Sequence, residues 1–106
     1  MQPSILVVEN HHDLRSAIVA AVTRENLACD AVRSGDAALV KLRNHAYDYI
    51  LVDDDEATAA AALLNDLASH PDSPKLVVLT ESDRTDGVSF LRKPFDSKQL
   101  LAKISD

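Results

Sequence analysis

Each of four short apolar runs in the sequence ends in polar residues that could do chemistry together. These residues are Glu9 and Asn10, Asp53 to Asp55, Thr80, and Lys93. Carboxylate oxygens suit Mg²⁺, which typically binds proteins through one or two carboxylates and keeps water or phosphate oxygens as its other ligands. A phosphoryl group beside such an ion needs further positive charge and a hydrogen-bond donor, which Lys93 and Thr80 can supply. The set therefore fits phosphoryl chemistry.

The apolar runs themselves predict the strands of a parallel sheet. Continuous β-branched stretches are typical of strands that are buried on both faces. They occupy residues 5–8, 49–52, 75–79 and 88–92, with a weaker run at 28–32. Helical spacing predicts helices at 13–24 and 96–104, and the helix propensity of Ala and Leu predicts another at 57–68. A further helix is expected after Gly35, with Asp36 as its cap. Alternating strands and helices predict helices on both faces of the sheet, with the site at the carboxyl ends of the strands.

The composition is that of one ordinary globular domain. A chain of 106 residues with 46% apolar and 26% charged residues allows one core and no second domain. The net charge of −6 and the scattered basic residues argue against contact with nucleic acid. Cys29 is the single cysteine, which excludes an internal disulfide and is compatible with a reducing compartment, so the cytoplasm is the default expectation. No apolar run approaches the ~18 residues of a membrane span, so no membrane contact is expected.

Four motifs, in order along nearly the whole chain, resemble those of a known family. They are ILVVEN at 5–10, YDYILVD at 47–53, LVVLT at 76–80 and FLRKPF at 90–95. Together they resemble the receiver domains of two-component response regulators. The resemblance implies a flavodoxin-like (CheY-like) open α/β sandwich with a five-stranded parallel sheet, built as one receiver domain over 1–106. It also implies a phosphoacceptor of a phosphorelay that acts by changing conformation, rather than a metabolic enzyme.

The resemblance gives the strand-end residues individual roles around Mg²⁺. Asp53 corresponds to the phosphoacceptor and also to a metal ligand. Glu9 and Asn10 correspond to the acidic pair that holds the ion, and the backbone carbonyl of Asp55 corresponds to a third protein ligand. Because Asn10 replaces an acid, the chain has one negative charge fewer at this site, and weaker metal binding is expected.

The remaining roles concern the phosphoryl group and the response to it. Thr80 corresponds to the residue that hydrogen-bonds the phosphoryl group, and Lys93 to the residue that pairs with it. Phe90 stands where the family places an aromatic switch that follows the movement of Thr80. The implied partners are a histidine kinase or a phosphotransfer protein, a downstream output domain or protein, and a second copy of the chain in a homodimer. The short final helix suggests a piece of a longer protein.

Two departures from the family pattern bear on output. Glu81 follows Thr80, where the family prefers a small residue that leaves room for phosphate. Only residues 81–87 separate Thr80 from the fifth apolar run, whereas a helical crossover needs at least ~10 residues. A short loop is therefore expected in place of the fourth helix. Seven extended residues span ~23 Å, which still allows a parallel fifth strand.

Other classes of protein compete with the phosphoacceptor. A pseudo-receiver that keeps the fold and binds partners without phosphorylation is favoured by Asn10, Glu81 and the short loop. A small phosphatase resembling the haloacid dehalogenases is suggested by Asp53-x-Asp55, although the chain has Ala57 where that family prefers Thr or Val. It is also too short for that family's cap.

Plainer interpretations of single residues remain open as well. The acidic run at 53–56 is also consistent with a solvated loop, and Phe90 with a packed core aromatic. The adjacent residues His11 and His12 suggest a metal site, but neighbouring side chains usually point apart. Cys29 is interpreted as a small strand residue.

Overall fold

Five parallel strands form a single sheet in the computed structural model of the chain, which describes residues 3–53, 74–80, 90–92, 98–100 and 102. The elements, in order, are β1 (Ser4–Val8), α1 (His12–Arg24), β2 (Ala28–Val32), α2 (Gly35–Asn44), β3 (Tyr49–Asp53), β4 (Lys75–Thr80) and β5 (Phe90–Arg92). Residues 98–100 and 102 are also helical. Within these described ranges, no helix is long and apolar enough to cross a membrane.

The strand order is β2-β1-β3-β4-β5, and every neighbouring pair is parallel. The predicted α/β fold with a five-stranded parallel sheet is therefore confirmed, including a parallel β5 beside β4. The predicted helix at 57–68 and the short loop at 81–87 lie outside the described residues.

Side chains alternate along the central strands and so build a core on each face of the sheet. On one face, Ile5 and Val7 of β1 belong to a cluster with Ile18 and Val22 of α1 and with Leu100. The opposite face carries a second cluster, formed by Leu6, Val8, Ala38, Tyr47, Ile50, Val52 and Val78. Because both faces are covered, β1 and β3 consist almost wholly of buried apolar residues.

A backbone motif at the end of α1 returns the chain toward the sheet. Asn26 has a φ of 60°, in the left-handed region that Asn tolerates better than most residues. Its N–H donates to the carbonyl of Thr23 at 2.9 Å, and the N–H of Leu27 donates to the carbonyl of Val22 at 3.4 Å. This pattern satisfies the last helical carbonyls and directs the chain into β2.

The start of α2 differs from the prediction made from the sequence. Ser34 is the capping residue, because its backbone is extended and its Oγ accepts a hydrogen bond of 3.2 Å from the N–H of Ala37. Asp36, which the sequence suggested as the cap, lies inside the first turn. The prediction for Asp36 was therefore wrong by two positions, although its carboxylate there complements the positive end of the helix dipole.

Candidate functional site

Three polar side chains are buried where neighbouring strands end. Glu9 follows β1 directly and is 0% exposed, Asp53 ends β3 and is 6% exposed, and Thr80 ends β4 and is 2% exposed. They are the buried polar or charged residues of the part of the chain that the structure describes. Burying charged side chains costs free energy unless they are hydrogen-bonded or bind an ion. Their concentration at one edge therefore indicates a functional site.

The strand register places these residues at the ends of neighbouring strands. Val8 is paired with Val52, so the next residues, Glu9 and Asp53, lie at the same level at the carboxyl ends of two adjacent strands. Asp53 is paired with Leu79, which places Thr80 one residue further along the neighbouring strand. Since adjacent strands are about 4.8 Å apart, the three residues lie along one short stretch of the sheet edge.

The backbone of Glu9 is held from two sides. Its N–H donates to the carbonyl of Val32, at the end of β2, over 3.0 Å. Its carbonyl accepts a hydrogen bond of 3.0 Å from Nη1 of Arg15, which lies in α1. The turn after β1 is thus tied both to the neighbouring strand and to the helix that follows it.

The side chain of Glu9 is contacted by His11. Nδ1 of the imidazole ring lies 3.1 Å from Oε1 of Glu9, and the backbone N–H of His11 donates to the same oxygen at 3.3 Å. The side chain of His11 is 72% exposed, whereas that of Glu9 is fully buried. An exposed imidazole therefore contacts a buried carboxylate at this edge of the sheet.

The structure describes only some of the other predicted site residues. Asn10 is exposed in the bend after Glu9. Phe90 begins β5 and is paired with Val78 in the strand register. Asp55 and Lys93 lie outside the described residues. The predicted functions of all the site residues stay predictions.

Two residues near the site were missed by the sequence reasoning. His11 was considered only as a metal ligand alongside His12, and Arg15 only as part of an amphipathic helix. The available signal was position: His11 is two residues after Glu9, and Arg15 is in the first turn of α1. Side chains at the start of a helix that follows a strand can reach back to the strand end.

The donor set at the edge fits a hard divalent cation. Glu9 and Asp53 offer carboxylate oxygens from adjacent strand ends, and oxygen is the ligand that Mg²⁺ prefers. Residues 3–53, 74–80, 90–92, 98–100 and 102 contain no cluster of three His, Cys, Asp or Glu side chains arranged for metal binding. A site built on two carboxylates leaves the other positions to amide, backbone, water or phosphate oxygens, which is the usual pattern for Mg²⁺.

The comparison with protein families agrees with this geometry. The family model of the response regulator receiver domain matches residues 5–105. The chain therefore belongs to the receiver domain family, whose members are signalling modules.

Individual relatives are similar along most of the chain. Response regulator ArlR of Staphylococcus aureus is 28% identical over 94% of this chain and 50% of its own length. The chain thus spans about half the length of the curated relatives that it matches.

Solved structures share the fold at low sequence identity. The receiver domain of sensor histidine kinase PA1611 from Pseudomonas aeruginosa PAO1, solved with a magnesium ion coordinated in its active site cleft, has a TM-score of 0.82 at 19% identity, covering 99% of this chain and 96% of that one. The pseudo-receiver domain of the CikA protein has a TM-score of 0.76 at 18% identity, covering 97% and 94%. The fold is therefore shared by a magnesium-binding receiver and by a pseudo-receiver.

Proposed function

We propose that this chain is the phosphoacceptor receiver domain of a two-component or phosphorelay system, and that it takes a phosphoryl group on Asp53 with the help of Mg²⁺. The observation that supports this proposal best is the burial of Glu9, Asp53 and Thr80 at the ends of three adjacent strands. In a receiver domain such a group has the chemistry required: carboxylates for a cation and for nucleophilic attack, and a hydroxyl for a phosphoryl oxygen.

The proposed reaction is a phosphoryl transfer between two side chains or from a small donor. A carboxylate oxygen of Asp53 attacks the phosphorus atom, and a new P–O bond forms as the bond to the donor breaks. The leaving group is an imidazole nitrogen of a histidine kinase or phosphotransfer protein, or acetate when acetyl phosphate is the donor. The product is an aspartyl phosphate, and slow attack by water would return the free carboxylate.

The aspartyl phosphate is negatively charged, so it needs positive charge close to it. When bound, Mg²⁺ neutralises negative charge on the phosphoryl and carboxylate oxygens. Glu9 and Asp53 would hold the ion with their carboxylates, Asn10 with its amide oxygen and Asp55 with its backbone carbonyl. All four come from the turn after β1 and from the end of β3 with the residues that follow it.

Two further residues would act on the phosphoryl group itself. Thr80 would donate a hydrogen bond to it, and Lys93 would supply the positive charge that pairs with it. Both functions require Thr80 and Lys93 to lie near each other. The sheet register supports this, because Thr80 is paired with Arg92, the residue that precedes Lys93.

The signal is proposed to leave the site as a shift between two conformational populations. Thr80 would move toward the phosphoryl group, and Phe90, at the start of β5, would follow it. The output would be read by a downstream domain or protein, or by a second copy of the chain in a homodimer. The chain would act as a relay with slow self-hydrolysis, not as a metabolic enzyme.

Intact-mass measurement tests this proposal directly. The wild type, Asp53→Asn and Asp36→Asn are incubated with acetyl phosphate and Mg²⁺. Asp36 is the matched control, because it is an exposed aspartate in the first turn of α2. We expect the mass of one phosphoryl group to be added to the wild type and to Asp36→Asn, and none to be added to Asp53→Asn.

Two results would contradict the assignment. Addition to Asp53→Asn would mean that a different carboxylate is the acceptor. No addition to the wild type, together with no Mg²⁺ binding in a calorimetric titration, would contradict phosphorylation altogether.

That second result is what a pseudo-receiver predicts, and one residue favours this alternative. Asn10, which is exposed beside Glu9, carries no charge and so removes one acid from the proposed metal site. A chain of this kind would transmit its signal by binding a partner protein through the same fold, without a phosphoryl group.

A further inference from the structure

We propose that His11 is a positioning residue that sets the orientation of the Glu9 carboxylate for metal binding. The proposal rests on the proposed function, because it takes Glu9 as a ligand of Mg²⁺. It assigns a defined task to a residue that the family roles above leave unused.

The contacts of His11 converge on one atom. Its ring nitrogen Nδ1 lies 3.1 Å from Oε1 of Glu9, and its backbone N–H lies 3.3 Å from that same oxygen. In the Nδ1–H form the ring donates to this oxygen, because a carboxylate only accepts hydrogen bonds. Two donors from a single residue thus restrain Oε1. Because Oε1 is part of the planar carboxylate, restraining it also restrains the orientation of that plane.

The restraints on Glu9 divide between its backbone and its side chain. Val32 and Arg15 bind the backbone N–H and the carbonyl of Glu9, which fixes the turn after β1. Neither of these contacts reaches the carboxylate. His11, by contrast, contacts the carboxylate itself and so restrains rotation of the side chain, and its ring lies on the solvent-facing side of this buried group.

Orientation matters here because the site has few carboxylates. Residues that hydrogen-bond a metal ligand typically contribute about 10- to 100-fold to metal affinity. With Asn10 in place of an acid, Glu9 and Asp53 carry the acidic contribution of the described edge. Loss of the His11 ring is therefore expected to weaken Mg²⁺ binding about 10-fold.

Three substitutions at His11 separate positioning from other effects. The side-chain nitrogen of Asn is bonded to Cγ, as Nδ1 is, so His11→Asn keeps a donor near Oε1. Gln carries its nitrogen one atom further out, and Ala carries none. His12→Ala is the matched control, since it removes an exposed imidazole from the adjacent position in the chain.

Mg²⁺ affinity is measured for all variants by calorimetric titration, and unfolding is followed in metal-free buffer. We expect weaker binding in His11→Ala and His11→Gln, near wild-type binding in His11→Asn and His12→Ala, and similar metal-free stability throughout. Equal affinity in all variants would overturn the proposal while the proposed function stands. Tighter binding in His11→Ala would also overturn it, because the ring would then compete with the ion.

A second measurement needs no metal. Nitrogen-15 NMR of the metal-free protein reports which ring nitrogen of His11 carries the proton. We expect the Nδ1–H form for His11, and its loss in Glu9→Leu, which has no acceptor. The Nε2–H form in the wild type would contradict the positioning contact. If the wild type bound no Mg²⁺ at all, the proposed function would fail and this inference with it.

Discussion

The hydroxyl of Tyr47 donates a hydrogen bond of 2.6 Å to Oδ2 of Asp30, and so joins the segment before β3 to the edge strand β2. Tyr47 is buried and Asp30 is exposed. Burial, followed by the hydrogen bond to Asp30 and its negative charge, raises the pKa of Tyr47. The hydroxyl therefore stays protonated, and remains a donor, throughout the neutral pH range.

Removing this hydroxyl is expected to destabilise the fold. Tyr47→Phe should lower the free energy of unfolding by about 1 kcal/mol, because one hydrogen bond to a carboxylate is lost while the ring still fills its place in the core. Urea denaturation measures the change. Asp30→Asn keeps an acceptor oxygen and should lose less. A Tyr47→Phe variant as stable as the wild type would show that water replaces the bond without cost.

The thiol of Cys29 predicts a loss of stability at alkaline pH. Burial, and then the charge of Asp30, raise the pKa of this thiol from 9.0 to about 11. The unfolded chain therefore releases this proton at lower pH than the folded chain, and the folded state binds more protons in between. This contribution to stability is complete below pH 9.0 and is lost as the pH rises through about 11.

Urea denaturation across this pH window checks the prediction. Cys29→Ala should show a flatter decline in unfolding free energy than its parent. Both proteins should carry Tyr47→Phe, because Tyr47 also has a raised pKa and would add its own alkaline decline. Parallel curves would indicate that the thiol ionises alike in the folded and unfolded states.

The cap of α2 is tested by two alanine substitutions. Ser34→Ala should lower the unfolding free energy by about 1 kcal/mol, since the N–H of Ala37 loses its acceptor. Asp36→Ala should cost less, about 0.5 kcal/mol, because only its interaction with the helix dipole is lost. Thermal unfolding of both variants gives the comparison, and the reverse order would restore Asp36 as the cap.

Restoring an acid beside Glu9 should strengthen metal binding. Asn10→Asp adds a negative charge at the exposed bend after β1, where a charge about 4 Å from a cation contributes at least ~1 kcal/mol in water. We expect Mg²⁺ to bind about 5- to 10-fold more tightly, as measured by calorimetric titration.

Asn44→Asp serves as the control for net charge. It makes the same change in charge at the C-terminal end of α2. Because α2 connects the ends of two parallel strands, it runs antiparallel to them, and its C-terminal end lies toward the amino ends of the strands, away from Glu9. Its Mg²⁺ affinity should match that of the wild type. Equal strengthening in both variants would mean that total charge, rather than a site next to Glu9, attracts the ion.

Much of this fold was predictable because the signals are local and strong. Buried parallel strands need continuous apolar runs, so β1, β3 and β4 were predicted to within one residue. The edge strand β2, whose apolar run is weaker, was predicted with its observed bounds. The cap of α2 was not, since Ser34 and Asp36 are both good capping residues. Only the extended backbone of Ser34, which brings its Oγ to the N–H of Ala37, distinguishes them.

The sequence by itself determined which residues lie at the strand ends. Parallel strands place their carboxyl ends at one edge, so Glu9, Asp53 and Thr80 follow from strand positions alone. The tertiary structure decided how Glu9 is held. The contacts from His11 and Arg15 depend on the direction of the turn after β1 and on the packing of α1 against the sheet, and neither leaves a periodic trace in the sequence. A side-chain contact needs angles that only the folded backbone sets.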